Sequence, residues 1–551
     1  MAASRIIRSM DFGTMMAMAY PLTRTEREAV ATYLSKVRED AGAHGPGRCA
    51  PDTKNALKGQ WIGWSASTGN TRYQAESGLS LEQVKRLKLK WAFGFEGDVS
   101  AFGAPTVVEG RLYTGSAAGV VYALDAKSGC VHWAFQAQGP VRTPIQAVRQ
   151  AQGHVLLFGD QNGMFYALDS REGKLKWKRR VEDHEATRLT GGAVERDGVV
   201  FIPVASWEET RASKPDYECC TFRGSVVALR VNDGSVVWKT YLVDVPKRTG
   251  VSRVGTPQWG PSGAGVWSTP TLDVLRGLLY VTTGDNYSRP ATGTSDAVVA
   301  LEIKSGAIRW VRQTLANDVF TADCGVKGPN CPPDAGPDFD YGAPAMLVTR
   351  GLLVAGQKSG MVYGLDLNAS GKIVWQTRVA QGGIVGGVQW GMASDGQKVY
   401  AAASDLGRKR QPPVNGISFH RFDLDPKLGG GLTALRIADG GVVWMANSIP
   451  CAAGAPAGCS PAQSAAVTAT AGVVWSGAMS GHLRAYAAET GEVLWEAATA
   501  REFETVNGVS ARGGSMDGAG PVVAGGMVFV NSGYARFGGM PGNVLLAFGV
   551  E

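Results

Sequence analysis

The sequence predicts an all-β chain, an eight-bladed β-propeller, and three observations carry the prediction. A fifteen-residue unit recurs: strand, tight turn, strand, tryptophan. Its first copy is GVVYALDAKSGCVHW at 119–133. Val120, Tyr122 and Leu124 alternate as in a strand, and Asp125 and Gly129 supply turn chemistry. Further copies end at Trp177, Trp238, Trp310, Trp375, Trp444 and Trp495, spaced roughly forty to seventy residues apart. An eighth copy starts at Gly542, GNVLLAFGVE, and stops before its turn and tryptophan. The missing outer strand is available near the other end of the chain, in LKLKWAF with Trp91. A solenoid would need polar caps at its ends, whereas closure into a ring leaves only short protected edges. An open two-sheet all-β protein is the rival architecture.

Composition sets wide bounds. The chain has 551 residues, 44% hydrophobic and 19% charged, with 74 glycines to serve many turns and a net charge of +7. No basic run interleaved with aromatics occurs, which argues against nucleic acid as a partner. No apolar run is long enough for a membrane span. The first twenty residues lack an apolar h-region, so no signal peptide is visible. The cysteines nevertheless point to an oxidising compartment, the periplasm. Cys324 and Cys331 bracket one short loop, Cys451 and Cys459 another, and Cys219 and Cys220 are adjacent. Cys49 and Cys130 are left over, and whether they pair is open.

Residues 21–39 read as a helix. Thr23 is the expected N-cap, Glu26 completes a capping box, and Val30, Tyr33, Leu34 and Val37 form the apolar stripe. The preceding MDFGTMMAMAY and this capped helix resemble the C-terminal end of a c-type cytochrome domain. No C-x-x-C-H haem-attachment motif exists in the chain. Residues 1–45 are therefore expected to be a cytochrome-like remnant and linker that binds no haem, with 46–551 forming the propeller. A plain N-terminal helix with chance methionines is the alternative. WIGWSASTGNTR, 61–72, is expected to lead into the first strand.

The inserts between repeats carry the candidate chemistry. Glu208 and Glu209 end a buried-strand pattern, where a loop could aim a carboxylate inward. Cys219–Cys220 follows; neighbouring Cα atoms lie closer than the usual disulfide span, so a bond there would be strained, and strain collects at functional sites. Two free buried thiols are the alternative. Trp267 opens a strand and Asn286 ends the next one on a GDN turn. An acidic loop holds Asp318, Asp323, Asp334, Asp338 and Asp340, and GQKSG places Lys358 at a turn.

Together these pieces resemble one family. The repeats match the tryptophan-docking motif of PQQ-dependent quinoprotein alcohol dehydrogenases. YECCTFRGSV, TTGDNYS, PDFDYGAP and VNSGYARFGGMPGNVLLAF resemble its polyvinyl-alcohol dehydrogenase branch. The resemblance implies that PQQ lies in the central channel between Trp267 and the Cys219–Cys220 disulfide. In the methanol dehydrogenase branch the vicinal pair lies about one blade earlier. It implies Ca²⁺ held by Glu209 or Glu208, Asn286 and Asp340, with Asp340 as catalytic base and Lys358 contacting the quinone oxygens. Arg142 in GPVRTP and Thr190 in RLTGG are the expected partners of the PQQ carboxylates. Hard oxygen ligands suit Ca²⁺, and Arg and Lys suit a tricarboxylate. In lanthanide-using members an extra Asp follows the base by two residues; Gly342 stands there, which favours calcium. The implied activity is oxidation of a secondary alcohol, polyvinyl alcohol or a bulky one, to a ketone, with a cytochrome c as acceptor. The rivals are a cofactor-free scaffold of envelope assembly and a sugar or toxin dehydrogenase of the same mechanism.

Overall fold

The computed structural model describes residues 24–34, 47–50, 59–151, 153–411 and 422–550, together with residues 6, 7, 10, 19 and 22. Eight blades, each with four antiparallel strands, follow one another around a ring; Thr187–Arg188 adds a fifth strand to the third blade and Tyr73–Gln74 a parallel fifth to the seventh. Seven are continuous in sequence, from Thr106–Gln136 in the first blade to Thr468–Ala498 in the seventh. The eighth combines strands Val522–Ala524, Met527–Ser532 and Val544–Gly549 with Lys88–Gly94 from the N-terminal side, which pairs antiparallel to Val544–Gly549. The predicted closure of the ring by two distant segments is thus what the chain adopts.

Each repeat does the same mechanical work. Between the third and fourth strands of every blade the register slips just before the tryptophan, as between Ala123 and Leu124 or Ala434 and Leu435. Such a bulge increases local twist and re-aims a side chain. Here it turns the indole onto the neighbouring blade. Trp91, Trp133, Trp177, Trp238, Trp375, Trp444 and Trp495 each donate the indole N–H to a backbone carbonyl of the next blade at 2.8–3.1 Å. Trp495 reaches Leu87 and so joins the seventh blade to the eighth. The ring lies flat on a turn glycine of the next blade. A Cβ built at Gly129, Gly173, Gly234, Gly306, Gly371, Gly440 or Gly491 would sit 2.5–2.7 Å from an indole atom. These glycines also hold φ near +70°, so the turn demands Gly twice over. Apolar clusters fill the wedges between blades; one packs Leu157 and Phe165 against Ile202, Val204 and Val227.

Residues 61–73 do more than lead into a strand. Their backbone crosses the ring and bonds to the innermost strands of several blades. Trp61 pairs with Val107, and the carbonyls of Thr68, Gly69, Thr71 and Arg72 accept from Leu272, Leu347, Ser394 and Ala469. Arg72 is wholly buried and donates to the carbonyls of Trp64, Val467, Ala519 and Pro521. Cys49 bonds to Cys130 and so pins the preceding chain to the first blade. Cys324–Cys331 and Cys451–Cys459 close their loops, and Cys219 is bonded to Cys220.

The N-terminal helix spans Arg24–Leu34, with Glu26 in its first turn. The expected stripe does not hold, because Tyr33 is 89% exposed and Leu34 48%. Thr23, Val37 and, apart from Met10 and Ala19, the methionine-rich segment lie outside the described residues, so most of the proposed cytochrome-like remnant does too. Among the described residues no helix is long and apolar enough to cross a membrane.

Candidate active site

A cavity of about 200 Å³ opens at the centre of the ring, lined among others by Arg142, Glu209, Trp267, Asp285, Asp340 and Lys358. They arrive on loops and strand ends of four successive blades: Arg142 leads into the second blade and Glu209 follows a strand of the third, while Trp267 and Asp285 come from the fourth and Asp340 and Lys358 from the fifth.

Glu208 and Glu209 open a four-residue helix, Glu208–Arg211, after the strand Val199–Ser206. The helical turn separates them. Glu208 is fully buried and accepts from the amides of Thr221 and Phe222 and from the Tyr217 hydroxyl. It anchors the loop of the vicinal disulfide and does not line the cavity, so the alternative of Glu208 as a cavity carboxylate falls away. Glu209 faces the cavity. Burial, only partly offset by Lys358, pushes its carboxyl up to about 7.

Trp267 lies across the cavity wall, with Trp390 edge-on at a centroid distance of 5.3 Å. The Lys358 ammonium stands 5.5 Å from its ring centre. Its position depends on two glycines. A Cβ at Gly342 would lie 2.1 Å from the indole, and a Cβ at Gly284 only 2.7 Å from Asp340 Oδ1.

The GDN turn behaves differently from expectation. Asn286 is fully buried, and its amide donates to Ser262 O and Thr292 Oγ1 and accepts from the Thr292 amide. It does not line the cavity, which corrects its expected place among the metal ligands. Asp285, one residue earlier, faces the cavity instead. Successive side chains on an extended chain point to opposite sides, so a register error of one residue swaps the inward group.

Asp285, Asp338 and Asp340 bring their carboxylate oxygens within 4.8 Å of one another. Lys358 Nζ donates to Asp338 Oδ1 and Asp340 Oδ2, each at 2.7 Å. The Asp285 amide donates to Asp340 Oδ1 at 2.7 Å, while Asp285 Oδ2 is buried without a partner. Burial and then the neighbouring carboxylates hold the Asp285 carboxyl well above its usual range. For Lys358, burial favours the neutral amine, but Asp338, Asp340 and Glu209 outweigh it and drive its pKa up. Asp318, on the acidic loop, accepts from the amides of Asp338 and Phe339 and so holds the segment that carries Asp340.

On the other side of the cavity the charge is positive. Arg142 is stacked against Trp390, its Cζ 4.2 Å from the ring centre, and Arg188 against Trp207 at 3.5 Å. Arg142 Nη2 and Arg188 Nε are buried without partners. Burial, then Arg536 and Arg142, lower the Arg188 pKa well below its ordinary value. Thr190 lines the same wall.

The vicinal disulfide is elsewhere. Cys219 and Cys220 are buried in a cluster with Phe222 and Tyr287, and neither lines the cavity. Tyr287 presents its ring there in place of the expected sulfur pair. Arg188, Asp285 and Trp390 were missed by sequence reasoning. Arg188 had a usable signal, since it precedes Thr190 by two in an extended stretch and so shares its side.

A family model described as outer membrane protein assembly factor BamB matches residues 71–262, 223–454 and 429–548. A polyvinylalcohol dehydrogenase of Pseudomonas sp is 39% identical over 98% of this chain and 87% of its own length. A second polyvinylalcohol dehydrogenase, from Sphingopyxis sp. (strain 113P3), is 36% identical over 100% of this chain and 88% of its own. Among solved structures, quinohemoprotein alcohol dehydrogenase ADHIIG from Pseudomonas putida HK5 superposes with a TM-score of 0.65 at 18% identity, covering 92% of this chain and 83% of that one. That likeness bears on the fold.

Proposed function

Because this chain belongs to the PQQ-dependent quinoprotein alcohol dehydrogenases, in the polyvinyl-alcohol dehydrogenase branch, we propose that it oxidises secondary alcohols, polyvinyl alcohol or a bulky secondary alcohol, to ketones. In this reading the cavity would hold Ca²⁺ and PQQ, a cytochrome c would take the electrons, and the compartment is the periplasm, in keeping with the four disulfides.

The convergence of one stacking indole, a carboxylate cluster, one lysine and several guanidiniums, Arg142 and Arg188 among them, in a single cavity is the observation that carries the reading. The residues fit both groups. Buried guanidinium N–H groups of Arg142 and Arg188 lack acceptors, which suits a polycarboxylate. Four acidic side chains, Glu209, Asp285, Asp338 and Asp340, face one ammonium, and Asp285 Oδ2 has no donor; that excess of hard oxygen suits a divalent cation. Glu209, Asp285 and Asp340 would hold the metal. Trp267 would stack on the cofactor, and Arg142, Arg188 and Thr190 would take its carboxylates. The tight contact of Trp267 on Gly342 leaves no room for an extra carboxylate there, which supports calcium over a lanthanide.

When bound, the quinone supplies the hydride acceptor, made more electrophilic by the cation. The chain's part is proton transfer and orientation. Asp340 is the base that takes the carbinol proton. The Asp285 amide and the Lys358 ammonium each hold one of its oxygens, so the carboxylate is fixed before substrate arrives. Lys358, kept cationic by its carboxylate neighbours, stabilises negative charge in the cavity. Tyr287, Phe320 and Trp390 surround the site with rings that limit water.

The test is reconstitution of the purified chain with PQQ and Ca²⁺, followed by dye reduction with a secondary alcohol. Activity should appear only with both additions. Asp340→Asn should retain bound PQQ by absorbance and lose roughly a hundred- to ten-thousandfold in turnover. Near-full activity of that variant would move the base to Asp338 or Asp318.

A further inference from the structure

A second, larger hollow adjoins the cavity. It encloses about 800 Å³, four times the space of the cavity itself, and the two share Tyr287 and Phe320 in their linings. One wall is the hairpin formed by Lys247–Val251 and Pro257–Gly260, which stands out from the ring. The other is the loop closed by Cys324–Cys331 and its continuation through 332–336. Arg253, at the hairpin tip, donates to the carbonyls of Lys327 and Gly328 and ties the two walls together. Cys219 lines the groove as well, and this places the vicinal disulfide beside it and outside the cavity.

The lining has a definite chemical character. Val251, Pro329, Pro332 and Pro333 give apolar surface, while Thr249 and Gln258 give hydrogen-bonding groups. Apart from the exposed Lys327, its charges are spent within the protein. Arg289 is paired with Asp334, and the Arg253 guanidinium is bound to backbone carbonyls. Such a surface offers little to a polyanion or polycation. It matches a neutral chain in which hydrocarbon and hydroxyl groups alternate.

We propose that this groove is an extended-chain subsite, binding the stretch of a neutral polyhydroxylated polymer that flanks the carbinol presented to Asp340. The inference rests on the reading of the cavity as the site of alcohol oxidation. It adds where the rest of a long substrate lies. A short secondary alcohol fills only the cavity, and a polymer gains the contacts of both spaces.

Two exposed positions on opposite walls, Val251 and Ala335, test it without touching the cavity. Val251→Trp and Ala335→Trp, singly and together, narrow the groove. Two readouts are compared with the parent: anisotropy of a fluorescein-labelled polyvinyl alcohol chain added to the cofactor-free protein, and kcat/KM of the reconstituted enzyme on the polymer and on 2-butanol. The expected result is roughly tenfold weaker polymer binding and polymer kcat/KM, with 2-butanol within about twofold. Unchanged polymer binding in the double variant overturns the subsite, as does an equal loss on both substrates. If the parent oxidises neither alcohol yet binds the labelled polymer in a Trp-sensitive manner, the oxidation reading fails and the groove assignment stands.

Discussion

Asp285 and Asn286 are neighbours with opposite fates. The amide of Asn286 is consumed by Ser262 and Thr292, and the carboxylate of Asp285 meets Asp338 and Asp340. The family resemblance pointed to the amide; the face decided for the acid. Glu208 and Glu209 divide the same way, one anchoring a loop and one facing the cavity. Behind this site lies Asp296, fully buried, with neither carboxylate oxygen bonded. Burial first, then Asp340, Asp318 and Asp338, raise its carboxyl well above the ordinary 3.8. The folded chain thus keeps a proton that the unfolded chain gives up above about pH 4, so this group takes stability away as pH rises from there. Asp296→Asn removes the penalty, and Asn tolerates the local φ of +47°. The variant should melt at a higher temperature than the parent at about pH 8, with the gap closing towards about pH 4. A constant gap across pH in differential scanning calorimetry would show that ionisation is not the cause. Of the single residues, Trp267, Asp340, Lys358, Arg142 and Thr190, placed by the family resemblance, do line the cavity, whereas one-residue choices of face and the vicinal pair Cys219–Cys220 were not legible.

The repeat units and segment 61–73 contrast as elements. Every docking tryptophan could be found by eye, because the strand, the turn glycine and the indole recur together and the bulge before each indole gives them one job. Segment 61–73 has no such period, since its backbone meets one blade after another rather than one partner repeated. It read as a lead-in and turns out to tie the innermost strands together. Arg72 is its hub, a guanidinium pulled down to about 9 by burial and satisfied by carbonyls, with no carboxylate partner. Arg72→Met should cost roughly 3 kcal/mol or more, because several buried carbonyls lose their donor at once. Denaturant unfolding monitored by tryptophan fluorescence would measure it, and a loss below about 1 kcal/mol would show that water replaces the guanidinium. The groove beside the vicinal disulfide is likewise a product of packing, since its two walls are separated by about seventy residues of chain.

For the whole molecule the controlling event is closure. Strand Lys88–Gly94 completes the eighth blade, and Trp91 then docks on the first blade while Trp495 reaches back to Leu87. A chain starting at residue 95 should leave Val544–Gly549 as an open edge, remove one docking indole and also lose segment 61–73 with Arg72. It is expected to form light-scattering oligomers on refolding, and a peptide spanning 59–95 should suppress them where one spanning 59–84 does not; a monomeric, cooperatively unfolding 95–551 chain would show that closure is dispensable. The sequence by itself determined the ring: a local unit of strand, turn glycine and indole, repeated until the two ends of the chain meet, is written in short-range pattern and needs no knowledge of distant contacts. Only the tertiary structure decided which side chains share the cavity and which share the groove. Those choices depend on the direction each loop takes after its strand, and a turn of one residue there carries a carboxylate from the cavity to the protein interior.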